Sequence, residues 1–553
     1  MVGVRREIAR SDDPDYASGS STSVTIEEWV ARKDVFRVVA QGVPMMPAPV
    51  FKRCDPKLED LYTQEVEARV AGVLRQHDIS CYLPPRLDYW HPRYEKHNGE
   101  NTLLIETLDT DTGSWLVAAR QILSILRLQG VEMHGKFQVE IRSRDKYYDD
   151  ISKRLPDDPQ LLDALSKVEP GIISAVCSLM EGSWSSIAYH SRISRADNAY
   201  DVFGKPTVVV FCYPGSTCDH GYDKAEESLL EVLQMSPVDI HLEILPGEIT
   251  PCVSSDNRPC YLSNPPPKPL NGSSTSVGGE TREAGTLGGW VILNLPNLQT
   301  IQCGLTCYNV VKSPDKAITA HTDIHGVVLD DSRGHITVQY PAAYDAAYTL
   351  ARLNEHCFSD PNDKTTAQEL QTLSAQFANA AIGKVVLASG YRDTDGHRSD
   401  WALFESPSTF SVNKPPPEEL ILAPFQGPSN PPFYSQNRDS KVREFGRAKF
   451  GDWVTKIGRG TTCTTGEVNH MKRVMPAPLG GTTKQLEILS HDGNFAGPGD
   501  SGSMVIGPRG ELLGIVTNVD TRSGSFDPAF ITTIQQIQQD VKEMTGGGFL
   551  SLD

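Results

Sequence analysis

The chain has 553 residues, 52 Lys and Arg against 70 Asp and Glu, and a net charge of −18 at neutral pH. That length exceeds what one hydrophobic core serves, so two or three domains are expected. The acidic balance argues against general binding to nucleic-acid phosphates, no apolar run is long enough to span a bilayer, and the eleven cysteines read as reduced thiols rather than a disulfide framework.

Residues 1–35 begin charged and turn Ser-rich ("MVGVRREIARSDDPDYASGSSTS"). They lack the apolar centre of a secretory leader and read as a flexible tail on an intracellular protein, cytoplasmic or nuclear. Residues 36–250 read as an α/β domain of unknown role. Within 57–77, Leu58, Leu61, Val66, Val70, Val73 and Leu74 recur at helical spacing. A strand–helix–strand order then appears twice. "TLLIETL", "SWLVAARQILSILRLQG" and "KFQVEIR" form the first set, and "TVVVFCY", "DKAEESLLEVLQM" and "VDIHLEIL" the second. This points to an α/β layer built by repetition. Neither set carries a phosphate-cradling glycine pattern.

From 251 to 284 Pro, Ser and Gly dominate and no apolar period survives, so this segment reads as a linker. Short strands between turn signals follow. They predict a first β-barrel over 285–412, with a helical insertion carrying Leu370, Leu373 and Phe377. A Pro-rich connection over 413–440 leads to a second barrel and a terminal helix over 441–553. Asp527 and Pro528 suit the N-cap and first position of that helix. The expected class is α+β multidomain: an N-terminal α/β domain and a C-terminal double β-barrel.

The chemistry concentrates in "FAGPGDSGSMVIG", residues 495–507. A serine hydroxyl needs a base to take its proton, a group to orient that base, and donors for the developing oxyanion. Gly499 and Ser501 can offer backbone N–H donors, and Asp500 can anchor the turn. An apolar strand, the hairpin "GPRG" and "LLGIVTN" come next. Together these resemble the trypsin/chymotrypsin-like serine proteases, as does "HRSDWALFE", in which Asp400 opens an apolar strand. "VTKIGRGTTCTTGEVN" is similar to the opening hairpin of the family's second barrel. The likeness runs from Gly285 to the C-terminus. It implies a chymotrypsin-like double barrel, with Ser501 as nucleophile, Asp400 as orienting carboxylate, and Gly499 and Ser501 as the oxyanion hole. It also implies a specificity pocket at Phe495, Thr517 and Val519, where Phe495 disfavours a basic substrate residue. A peptide or protein partner is implied, with no cofactor, metal, nucleic acid or membrane. Oligomeric state is not indicated.

The family's base is a histidine ahead of Asp400. In "CGLTCYNVV" Asn309 stands in that slot, and an amide does not shuttle protons near neutral pH. "KAITAHTDIHG" offers His321, and less directly His325, as a loop histidine that replaces it. Cys303, Cys307, His321 and His325 also have near-zinc spacing, but Pro314 disfavours the required helix and the cysteines suit one face of a barrel strand. Three readings stand open: a serine endopeptidase using His321, a pseudoprotease binding peptide through a silenced site, and an autoprocessing chain with the linker as scissile segment.

Overall fold

The computed structural model describes residues 24–552 apart from 46–49, 54–55, 92–98, 131–135, 149, 195–203, 253–258, 280–282, 330–335, 379, 395, 407–411, 416–440, 478–479, 491–493 and 521–527. The Pro-rich connection from 416 to 440, most of the tail and Asp527 therefore lie outside the described residues. Two compact units emerge, one ending at Glu248 and the other beginning at Ile249 and including the C-terminal segment.

In the N-terminal unit, β1 (Glu100–Thr107), α1 (Trp115–Leu128) and β2 (Phe137–Ser143) form a crossover whose strands pair in parallel. The helix buries Trp115, Ala118, Ala119, Ile122, Leu123 and Leu126, one face at helical spacing. That face meets Leu103, Ile105, Val139 and Ile141, joined by Leu58 from the short helix Pro56–Glu59 and by Val66, Val70 and Leu74 from the helix Gln64–Gln76, so the 57–77 stretch is broken at 60–63. A second crossover follows in β3 (Lys205–Cys212), α2 (Tyr222–Gln234) and β4 (His241–Pro246), again with a parallel strand pair.

Part of the expected tail is ordered. Ile26–Lys33 is a helix with a capping box between Thr25 and Glu28. Its Trp29 is buried, packs on Tyr222 with ring centroids 5.5 Å apart, and donates its indole N–H to Asp223 at 2.9 Å. The Ser-rich composition upstream hid this short amphipathic stretch.

The C-terminal unit begins with β5 (Ile249–Pro251). Its first sheet runs through Ser274–Val277, Thr337–Gln339, β8 (Ala381–Ala388), β9 (Ala402–Glu405), β7 (Thr300–Thr306) and β6 (Gly289–Asn294). Six strands close a barrel in the second half: β10 (Trp453–Gly458), β11 (Thr462–Val468), β12 (Thr482–Ser490), β15 (Ala529–Thr533), β14 (Leu512–Asp520) and β13 (Met504–Ile506), which returns to β10. α7 (Ile534–Thr545) follows directly, and its Ile534, Ile537 and Val541 enter the same core as Trp290, Leu305, Trp401 and Leu403.

Three expectations change here. The stretch 251–284 is not purely a linker, since Ser274–Val277 is a fully buried strand pairing with Gly285–Thr286 and Thr337–Gln339. Its small, polar "STSV" sequence carries no apolar signal. The terminal helix starts at Ile534 with Thr533 as N-cap, because Ala529–Thr533 closes the barrel as a strand. The insertion holds two helices, α5 (Ala343–Ser359) and α6 (Lys364–Phe377), around a small apolar cluster with Leu353, Leu373 and Phe377. Among the described residues no helix is long and apolar enough to cross a membrane.

Candidate active site

Asn309 sits on α3 (Tyr308–Val311), a single turn at the end of β7. Asp400 lies just before β9, in backbone fixed by its neighbour. Trp401 is fully buried, takes Ser389 Oγ on its backbone N–H at 2.9 Å, and donates its indole N–H to Asp540 of α7 at 2.9 Å. Ser501 sits in the turn before β13. Gly502 there has φ +92° and a backbone N–H bonded to the Val516 carbonyl at 2.8 Å. A Cβ at Gly502 would lie 2.2 Å from the Thr286 carbonyl oxygen, so the turn demands glycine on two counts. The Ser501 carbonyl in turn accepts from the Thr286 N–H at 2.8 Å.

These elements bring Asn309, Asp400 and Ser501 together. The Asn309 backbone N–H donates to Asp400 Oδ1 at 3.0 Å, and its side-chain Nδ2 donates to Asp400 Oδ2 at 2.8 Å. The same Nδ2 reaches Ser501 Oγ at 3.3 Å. Ser501 Oγ donates its own proton to the Thr517 carbonyl at 3.0 Å. The amide orientation follows from the chemistry, since the opposite one would set Oδ1 against a carboxylate. Asn309 Oδ1 is left buried without a hydrogen-bond partner.

Burial raises the Asp400 carboxyl to about 7, against the opposing hydrogen bond from the Asn309 backbone and the charges of Arg398 and Lys312. Among the described residues no cation pairs with it directly in the way a protonated imidazole would.

The turn carrying Gly499 and Ser501 is held from within. Asp500 and Lys456 are both fully buried and pair at 3.1 Å. Asp500 also accepts from the backbone N–H groups of Gly460, Thr461 and Gly497 and from the Thr461 hydroxyl. Gly499, at φ +100°, directs its N–H to the Cys252 carbonyl at 2.5 Å. Phe495, Thr517 and Val519 are all buried, and Phe495 and Val519 share an apolar cluster with Cys252 and Val516.

His321 lies on α4 (Lys316–His325), a helix where the sequence suggested a loop. Asp315 caps it, accepting from the Ala317 N–H at 2.8 Å, and Pro314 falls outside it. Thr322 and Asp323 are the residues that meet Tyr308, at 2.7 and 2.8 Å. His321 instead packs its ring on His325, with centroids 4.5 Å apart, and is not a hydrogen-bond partner of Ser501 or Asp400. Cys303 and Cys307 are buried in the apolar core that holds Trp290, Leu305 and Trp401, and among the described residues no group of three His, Cys, Asp or Glu side chains is placed to hold a metal ion.

Cys252, Lys456 and Asp540 were not singled out from the sequence. A lysine inside the strand "VTKIG" was a usable signal for the second of these, since a strand-interior Lys that turns inward needs a buried anion.

The sequence matches no protein-family model and no curated protein. Solved structures similar to it include proteases. The Nocardiopsis protease NAPase is 13% identical, with 51% of this chain and 98% of that chain covered at a TM-score of 0.27. Cellulomonas bogoriensis chymotrypsin is 14% identical, with 51% and 97% covered at 0.26. Thermobifida fusca protease A is 12% identical, with 51% and 98% covered at 0.26.

Proposed function

We propose that the C-terminal unit is a pseudoprotease, a serine-protease-type module that binds an extended peptide in its cleft and does not turn it over. The observation that supports this is the single Asn309 Nδ2, shared between Asp400 and Ser501 where a general base belongs. A carboxamide neither accepts the serine proton nor returns it to a leaving amine. The Ser501 proton points at the Thr517 carbonyl, which is no base either. The rest of the apparatus is retained, with a buried ion pair bracing the turn that presents Gly499 and Ser501. Ser501, Asp400 and the oxyanion turn thus serve the shape of a peptide cleft.

The competing reading is a serine endopeptidase with His321 as base. It draws on the intact Ser501 turn and requires α4 to move. Labelling with a fluorophosphonate probe separates the two. The pseudoprotease reading expects no labelling of the wild type, labelling of Asn309→His, and none of Asn309→His/Ser501→Ala. Wild-type labelling that His321→Ala abolishes would overturn it in favour of the endopeptidase.

A further inference from the structure

The cleft is already occupied, by the chain itself. β5 pairs antiparallel with β14, register Ile249 to Asp520, Thr250 to Val519 and Pro251 to Asn518. β14 is the strand that leads back to Ser501, since its Thr517 carbonyl receives the serine proton. Cys252, the next residue after β5, donates its backbone N–H to that same Thr517 carbonyl at 3.3 Å. Its own carbonyl oxygen accepts from the Gly499 N–H at 2.5 Å. Its side chain is fully buried in the cluster formed by Phe495, Val516 and Val519. One segment therefore satisfies a strand edge, a side-chain pocket and an oxyanion donor at once. Strand addition of this kind draws affinity from main-chain pairing and selectivity from the pocket.

We infer that Ile249–Cys252 is an intramolecular pseudosubstrate, seated with Cys252 in the specificity pocket and its carbonyl in the oxyanion hole. This rests on the reading of the cleft as a peptide site without a working base. The peptide class is defined by the occupant: an extended segment ending in a small, neutral, weakly polar side chain. Phe495 shares the apolar cluster that encloses the thiol, and such surroundings suit a small neutral side chain and disfavour a charged one. Because the segment is covalently attached, its effective concentration at the cleft is high, and a free peptide competes poorly.

The geometry also fixes what a restored base would do. With an imidazole at 309, Ser501 Oγ would bond to the Cys252 carbonyl carbon as the C–N bond to Val253 breaks. The imidazole would carry the serine proton to the leaving amine. Water would then hydrolyse the ester, leaving Ser501 free and Cys252 with a new carboxylate.

Two measurements on the full chain test this. Asn309→His is purified and followed by intact-mass spectrometry at several protein concentrations, beside Asn309→His/Ser501→Ala. Scission after Cys252, at a rate independent of concentration and absent from the double variant, supports the inference. Scission elsewhere, scission that scales with concentration, or an intact chain that still labels with fluorophosphonate overturns it. If Asn309→His neither cuts itself nor labels, the reading of Asn309 has failed, and the second measurement decides alone. Wild-type protein is pulsed with iodoacetamide and its cysteines are read peptide by peptide. A seated Cys252 alkylates about 100-fold more slowly than the exposed Cys81. Cys252 reacting as fast as Cys81 overturns the pseudosubstrate whatever the variant does.

Discussion

Asp400 titrates in an unusual range, and the consequence can be measured. Its carboxyl moves from 3.8 to about 7, chiefly because it is buried. For a raised acid the folded state holds a proton that the unfolded chain has released. Its contribution is fully present below about pH 4 and is lost as the pH rises through about 7. That rise in the carboxyl's pKa is worth about 4 kcal/mol in all, and integrating the linkage assigns about 2.5 kcal/mol of it to the interval from about pH 5 to about pH 8. Asp400→Asn keeps the shape of the side chain and removes the titration. Any fixed cost of the new amide facing the Asn309 donors is the same at every pH. Hydrogen exchange of the β9 amides, corrected for intrinsic rates, reads the opening free energy of this unit. The wild type should lose about 2.5 kcal/mol relative to Asp400→Asn between pH 5 and pH 8. Parallel pH profiles, agreeing within about 0.5 kcal/mol, would refute the claim that a buried carboxyl without a cationic partner sits beside Ser501. Asn309→His should flatten the wild-type slope, since an imidazolium there favours the carboxylate.

Other perturbations separate the bracing contacts from the site. Arg459→Met leaves Asp345, fully buried, with the Ser274 hydroxyl and the Cys260 N–H alone, and should cost about 3–5 kcal/mol in urea unfolding. Lys456→Met strands Asp500 with four remaining donors, so a loss nearer about 3 kcal/mol is expected in the same assay. Gly502→Ala forces a side chain into a positive-φ position against the Thr286 carbonyl oxygen. It should destabilise by about 3 kcal/mol or more and abolish labelling of the Asn309→His background.

Much of the apparatus was readable because its parts are local in sequence. The glycines around Ser501, the strand opening at Asp400 and the β7 ending at Asn309 each announce themselves within about ten residues. The two crossovers of the N-terminal unit were legible for a related reason, since helical and strand periods alternate cleanly there. The features that stayed hidden depend on partners far along the chain. Ser274–Val277 is a strand only because Gly285–Thr286 and Thr337–Gln339 flank it. α4 was masked by Pro314, which lies just outside the Asp315 cap. Cys252 sits in Pro/Ser-rich sequence that reads as linker, and nothing local reveals that the strand before it pairs with β14.

The claim that Asn309 silences Ser501 is tested most directly by the second-order rate of fluorophosphonate labelling in Asn309→His against wild type, with Ser501→Ala as blank. Restoring the base should raise that rate by about 10³-fold or more, the order by which triad members act together. A ratio near one, or a fast wild-type rate that falls in His321→Ala, would contradict the account.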